Sequence, residues 1–154
     1  MKRLDATWFF ALAAGLVCGS LSISERPVFG QGAETLVMVA NKTNPSASVS
    51  KGDAKKMLLG QMTAWPDGAP VVIVLTPAGS AQRAAVLTKI CGMSESDYTK
   101  YQLQVAFTRR TPATIHEEHS VAGVTSFVKA HPGAIGFLRK SDAGDDIKAV
   151  MTLE

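Results

Sequence analysis

The segment from Val71 to Ile90 constrains the fold of this chain more than any other. Val71-Val72-Ile73-Val74-Leu75 is an uninterrupted apolar run of strand length, and Ala84 to Ile90 carries a helical pattern. Between them lies Thr76-Pro77-Ala78-Gly79-Ser80-Ala81-Gln82-Arg83, a Gly-Ser turn leading from a buried strand into a helix. Open α/β sheets hold their ligands at the carboxyl ends of strands, which is where this turn falls. The free N–H groups and positive dipole end of a helix favour phosphate, sulfate or carboxylate there, with Ser80 as a hydroxyl donor and Arg83 one turn further on. The other reading of the same residues is local: Gly79 shapes the loop and Ser80 caps the helix.

The first thirty or so of the 154 residues do not count toward the fold. Met1-Lys2-Arg3 is a positive start, and Trp8 to Val17 is an uncharged apolar run followed by small and polar residues. This is the pattern of a secretory signal peptide, too short for a membrane span, which needs about 20 apolar residues. Gln31-Gly32-Ala33 places cleavage after Ala33, so residues 1–33 read as signal peptide and 34–154 as a single secreted or periplasmic domain. Val17 before Cys18 is a poor match to a lipid-anchor site, and no lipid anchor is expected. Removal of the leader leaves Cys91 as the one cysteine, which excludes an internal disulfide and makes packing its expected role. The leader carries three basic residues (Lys2, Arg3, Arg26) and two acidic ones (Asp5, Glu25), so the domain keeps only a small positive charge. That balance argues for neither nucleic acid nor a membrane surface, and 6% aromatic residues give no base-stacking platform.

Along the domain, Leu36 to Ala40 reads as a strand, and Asn41 to Ser48 as a loop. Ser50-Lys51-Gly52-Asp53 resembles a capping box for a helix ending at Gly60, and Trp65-Pro66-Asp67-Gly68 is a turn. Ser94 caps a helix with Tyr98, Tyr101 and Val105 on one face, and Phe107 to Ile115 is loop composition. Ser120 caps a helix with the stripe Val121, Val124, Phe127 and Val128, stopped by His131-Pro132-Gly133. Ala134 to Leu138 and Ile147 to Leu153 read as strands. This alternation implies an α/β layer structure with a largely parallel sheet.

Two other chemistries have weaker signatures. In His116-Glu117-Glu118-His119 the histidines are three apart, where a zinc-protease helix needs four, and the cluster reads as the acidic entrance of a helix with no metal. Ala78-Gly79-Ser80-Ala81-Gln82 lacks the glycines of a nucleophile elbow, and no Asp–His pairing is evident, so no enzyme is expected. No Gly-rich nucleotide motif is present, and no cofactor is implied.

Four segments together resemble the periplasmic phosphate-binding proteins of ABC transporters. They are Asn44-Pro45 through Ser50 with Met57-Leu58-Leu59-Gly60 and Trp65; Val71 to Val74 leading into Gly79-Ser80; Phe127-Val128; and Pro132-Gly133-Ala134-Ile135-Gly136-Phe137, close to the family's Pro-Gly-Ala-Ile-Gly-Tyr. They span roughly residues 36 to 138. The resemblance implies a three-layer, periplasmic-binding-protein-like single lobe, its mainly parallel or mixed sheet flanked by helices. It also implies a non-enzymatic protein that holds phosphate or a related oxyanion and serves an ABC transporter permease. The alternative is a ligand-free extracytoplasmic module on the same fold, partnering an envelope sensor protein.

The departures bear on affinity. Relatives carry Arg and Asp shortly before the Gly-Ser and Gly-Thr after it; this chain has Thr76 and Ala78 before, then Ala81 and Gln82. Loss of one charge-assisted bond of about 1.5–3 kcal/mol weakens binding roughly tenfold to a hundredfold. Full-size relatives close two lobes on the ligand, and residues 34–154 have room for one. The expected ligand residues are Gly79, Ser80, Ala81 and Gln82, followed by Thr76, Arg83 and the hydroxyls of Thr43, Ser46 and Ser48, if the Asn44-Pro45 loop shares the sheet end. Arg109-Arg110 either line the site or face water.

Overall fold

The computed structural model describes residues 35–108 and 110–154; the signal-peptide reading of 1–33 lies outside them. The sheet is built from β1 (Leu36–Asn41), β2 (Val72–Leu75), β3 (Ile115–Glu117), β4 (Ala134–Arg139) and β5 (Ile147–Leu153), in the order β3-β2-β4-β1-β5. The helices are α1 (Lys51–Leu58), α2 (Ala81–Val86), α3 (Glu95–Phe107) and α4 (Val121–Ala130). The sheet is mixed. β2 runs parallel to β3 and β4, whereas β1 is antiparallel to both β4 and β5.

Every residue of β1 is buried, because both sheet faces are covered. Leu36, Met38 and Ala40 join Ile73, Leu75, Ile135 and Phe137 in a core capped by Ala54, Met57 and Leu58 of α1, Val86 of α2 and Tyr98 of α3. Val37 and Val39 turn the other way, onto Val74, Leu138 and the Val124 and Val128 stripe of α4. The period of two in the strands thus separates two helical layers, giving the three-layer α/β arrangement.

The glycines of Pro132-Gly133-Ala134-Ile135-Gly136 have steric reasons. A Cβ on Gly133 would collide with the carbonyl oxygen of Pro70, and Trp65 Nε1 donates to Gly133 O at 3.0 Å. A Cβ on Gly136 would stand 2.6 Å from Val124 Cγ1, so this glycine sets how closely α4 approaches the sheet.

Two expectations are corrected. The helix that Ser80 caps is not α-helical along the whole pattern to Ile90: its last part, Leu87–Cys91, is a π-helical turn that buries Leu87, Ile90 and Cys91. The helix entrance expected at 116–119 is instead partly strand: Ile115, His116 and Glu117 pair with Ile73, Val74 and Leu75. Three residues are too few to show a period, and the acidic pair mimics a helix start. Ser50, Ser94 and Ser120 cap α1, α3 and α4, each accepting from the N–H three residues on.

Candidate functional site

The Gly-Ser turn leaves the carboxyl end of β2, where Leu75 gives way to Thr76. Gly79 has φ +83°, a left-handed conformation that a side chain would strain, and Ser80 N donates to Pro77 O at 3.1 Å to close the turn. Ser80 is then the N-cap of α2, its Oγ accepting from Arg83 N–H at 3.3 Å. That Oγ also lies 2.6 Å from Thr76 Oγ1. Whichever hydroxyl donates to the other, one O–H proton of the pair is left to point elsewhere.

Ala81 and Gln82 are the first two residues of α2, and their N–H groups have no acceptor within the helix. The Gln82 side chain is anchored, Nε2 donating to Phe137 O of β4 at 2.5 Å. Two backbone N–H groups and one hydroxyl proton therefore sit together on a half-exposed turn. The turn thus offers three donors to a group that brings acceptors, such as an oxyanion.

Arg83 points elsewhere. It is 7% exposed, with Nη1 2.6 Å from Glu117 Oε1, Nε 2.9 Å from Glu95 Oε1, and a weak 3.4 Å contact from Nη1 to Thr76 O. One guanidinium facing two carboxylates has its charge locally cancelled, so Arg83 is a structural tie between α2, α3 and β3. The sequence hid this role because β3, which carries Glu117, was not legible.

The Asn44-Pro45 loop lies at the opposite end of the sheet. β1 is antiparallel to β4, and β4 is parallel to β2, so β1 ends where β2 begins. Asn41 Nδ2 donates to Val128 O and Lys129 O, and its Oδ1 accepts from Thr43 N–H and Oγ1–H, each at 2.8 Å. Ser46 N–H donates to Asn44 Oδ1, whose amide reaches Pro132 O at 3.3 Å. Ser48 precedes Val49, whose N–H donates to Val150 O of β5, three strands from β2. Thr43, Ser46 and Ser48 are therefore not brought to Ser80; Asn41 and Asn44 tie this loop to the end of α4 and the turn before β4, with Thr43 and Ser46 bonded to their side-chain oxygens.

Arg139 and Lys140 do share the seat's end of the sheet, at the carboxyl end of β4. With Thr35 and Ser141 they line a cavity of about 330 Å³. In sequence the doublet looks like an ordinary solvated face, and only the strand register places it. Arg110, exposed, lies at the other end, lining a cavity with Gly60, Tyr101 and Thr111; Arg109 is outside the described residues.

His116 and His131 are engaged with Phe127 of α4. His116 and His131 stack on Phe127 with ring centroids 4.0 and 4.1 Å away, His116 Nε2 meets Glu118 Oε1 at 2.9 Å, and His131 Nδ1 meets Phe127 O at 2.9 Å. Among the described residues no cluster of three or more His, Cys, Asp or Glu is placed to hold a metal ion. None of their helices is long and apolar enough to cross a membrane.

No family model and no curated protein matches the sequence. Solved structures do match the fold. One, from Clostridium perfringens and described as a phosphate ABC transporter substrate-binding protein with bound phosphate, aligns at TM-score 0.61 and 22% identity over 75% of this chain and 44% of its own. An ABC-type phosphate transport receptor from Vibrio cholerae aligns at TM-score 0.60 and 18% identity, over 76% and 45%. PstS from Borrelia burgdorferi aligns at TM-score 0.56 and 12% identity, over 75% and 46%. This chain thus spans less than half the length of each of these proteins, and over three quarters of its own length it shares their fold.

Proposed function

We propose that the protein is a non-enzymatic, single-lobe solute-binding protein that holds phosphate or a related oxyanion at the turn formed by Thr76 and Gly79 to Gln82. The observation carrying this reading is the convergence of three donors on one turn. Ser80 Oγ is oriented by Thr76 and by the Arg83 N–H, beside the unpaired N–H groups of Ala81 and Gln82. The likeness to phosphate-transport proteins supports the ligand class, and delivery to an ABC transporter permease from the periplasm is the role that would follow.

With Arg83 committed to Glu95 and Glu117, the seat relies on dipoles and hydroxyls, so affinity falls below that of a site with an arginine clamp. The same withdrawal of Arg83 favours a second reading, a ligand-free module that partners an envelope sensor on the inherited fold. Calorimetric titration with phosphate and then sulfate at low salt separates the two. Saturable heat that weakens about tenfold in Ser80→Ala, the cost of about one hydrogen bond, is the expected result. No heat and no thermal shift at millimolar anion would select the second reading.

A further inference from the structure

We propose that the protein carries a second small-molecule site, remote from the anion seat, which takes an organic carboxylate with a flat apolar body. The site is the cavity of about 450 Å³ where the end of α1, one face of α3 and the segment leading into β3 meet. Its volume lies in the range of ligand pockets, and its walls divide by chemistry. Buried Leu59 and Val105 and the half-buried ring of Tyr101 form an apolar wall. The exposed rim is polar: the Arg110 guanidinium, the hydroxyls of Thr63 and Thr111, and the Gln61 amide.

The charge of the lining selects the ligand. No aspartate or glutamate lines the cavity, and Arg110 has no ion-pair partner among the described residues. The end of a helix ordinarily repels an anion, because its last carbonyls are unpaired and carry the negative end of the dipole. At the end of α1 those carbonyls are taken. Tyr98 Oη and Gln102 Nε2 donate to Leu58 O at 2.8 and 3.2 Å, and Tyr101 Oη donates to Leu59 O at 3.0 Å. One cation, two hydroxyls and an amide therefore stand over a hydrocarbon wall. A guanidinium meets a carboxylate through paired N–H donors, and a flat apolar body packs on Tyr101.

The rim is seated on the fold. Gly60 has φ +69°, and a Cβ there would stand 2.8 Å from both Thr111 O and Ala113 N, so the chain that carries Arg110 lies directly on the end of α1. Thr63 is fixed in turn, its carbonyl accepting from Val71 N–H at 2.9 Å. Thr111 precedes the start of β3, which is parallel to β2, whereas the seat follows the end of β2, so the two sites fill independently.

The test is an NMR titration of the full chain with cinnamate and with its uncharged analogue cinnamamide, in the parent, Arg110→Gln, Arg110→Lys and Ser80→Ala. The expected result is saturable cinnamate binding that shifts the backbone amides of Gly60, Gln61 and Thr111. It weakens about tenfold in Arg110→Gln, the cost of about one charge-assisted hydrogen bond, and is unchanged in Ser80→Ala and in excess phosphate. Arg110→Lys, which keeps the charge and loses the planar fork, falls between parent and Arg110→Gln. Cinnamamide binds the parent about as weakly as cinnamate binds Arg110→Gln. Circular dichroism and melting check the fold of each variant, and the comparison of acid with amide on the parent decides the matter if a variant unfolds. No saturable binding, equal affinity for acid and amide, equal binding by parent and Arg110→Gln, or competition by phosphate overturns the proposal. None of these outcomes depends on whether the seat binds an anion, which the phosphate titration of Ser80→Ala reads separately.

Discussion

Thr76 shows how a residue of secondary rank in the sequence becomes central in the structure. Its hydroxyl is 2.6 Å from Ser80 Oγ, and its carbonyl faces Arg83, so it connects the seat to the ion cluster behind it. Thr76→Val keeps the shape and removes the hydroxyl partner; anion affinity is expected to fall several-fold in calorimetry, with stability changed by less than about 1 kcal/mol because the site is half-exposed. Arg83→Met acts in the opposite sense. It strips the cation from Glu95, whose carboxylate oxygens are buried, and is expected to cost about 3 kcal/mol in urea unfolding, part of which Glu95→Gln restores. Cys91 provides a pH test. Burial pushes its thiol from 9.0 up to about 11, so the folded state retains the proton longer than the unfolded one. Its contribution is complete below pH 9 and is lost as pH rises toward 11; in melting curves across that range Cys91→Ala should decline less steeply than the parent. Tyr98, raised by burial from 10.0 to about 12, adds a second loss at higher pH in both proteins.

At the scale of elements, close packing of α4 on the sheet depends on Gly136. Gly136→Ala places a methyl 2.6 Å from Val124 Cγ1 and is expected to destabilise by about 1–3 kcal/mol in chemical denaturation; Val124→Ala in the same chain makes room and should recover part of the loss. The long elements were legible in the sequence because their signals are local. Val71 to Leu75 is a continuous apolar run, Ser94 and Ser120 are caps with a striped helix behind them, and Ile147 to Leu153 is a strand in pattern and in structure. β3 was not legible, since three residues with one apolar side chain carry no period, and its strand state comes from pairing with β2. Without β3 there is no place for Glu117 beside Arg83, and without strand directions the Asn44-Pro45 loop looks compatible with the seat. Gly79 and Ser80 were legible as turn and cap because both roles are local, whereas which cation stands nearby is a property of register.

At the scale of the whole molecule, the seat's electrostatics come from the dipole of α2 and from the sheet end the turn occupies, not from Arg83. Arg83 is cancelled by two carboxylates, which leaves the dipole of α2 and, from β4, Arg139 and Lys140. Arg139 is held by Asp142 at 3.8 Å among its contacts, while Lys140 is exposed, its backbone N–H fixed to Thr35 O at 2.8 Å. An exposed ammonium near an exposed anion acts through solvent, so its effect is modest and screened beyond about 10 Å at 0.1 M salt. Lys140→Gln is therefore expected to weaken phosphate binding about two- to fourfold at low salt and to leave it unchanged at high salt. Ser80→Ala, which removes a hydrogen bond, should weaken binding at both. The contrast distinguishes a seat that captures its ligand by contact from one that gathers anions by field, and a calorimetric series in sodium chloride reads it directly. If Lys140→Gln matches Ser80→Ala at every salt concentration, Lys140 touches the ligand, and the seat extends across β4 to the Arg139–Ser141 cavity.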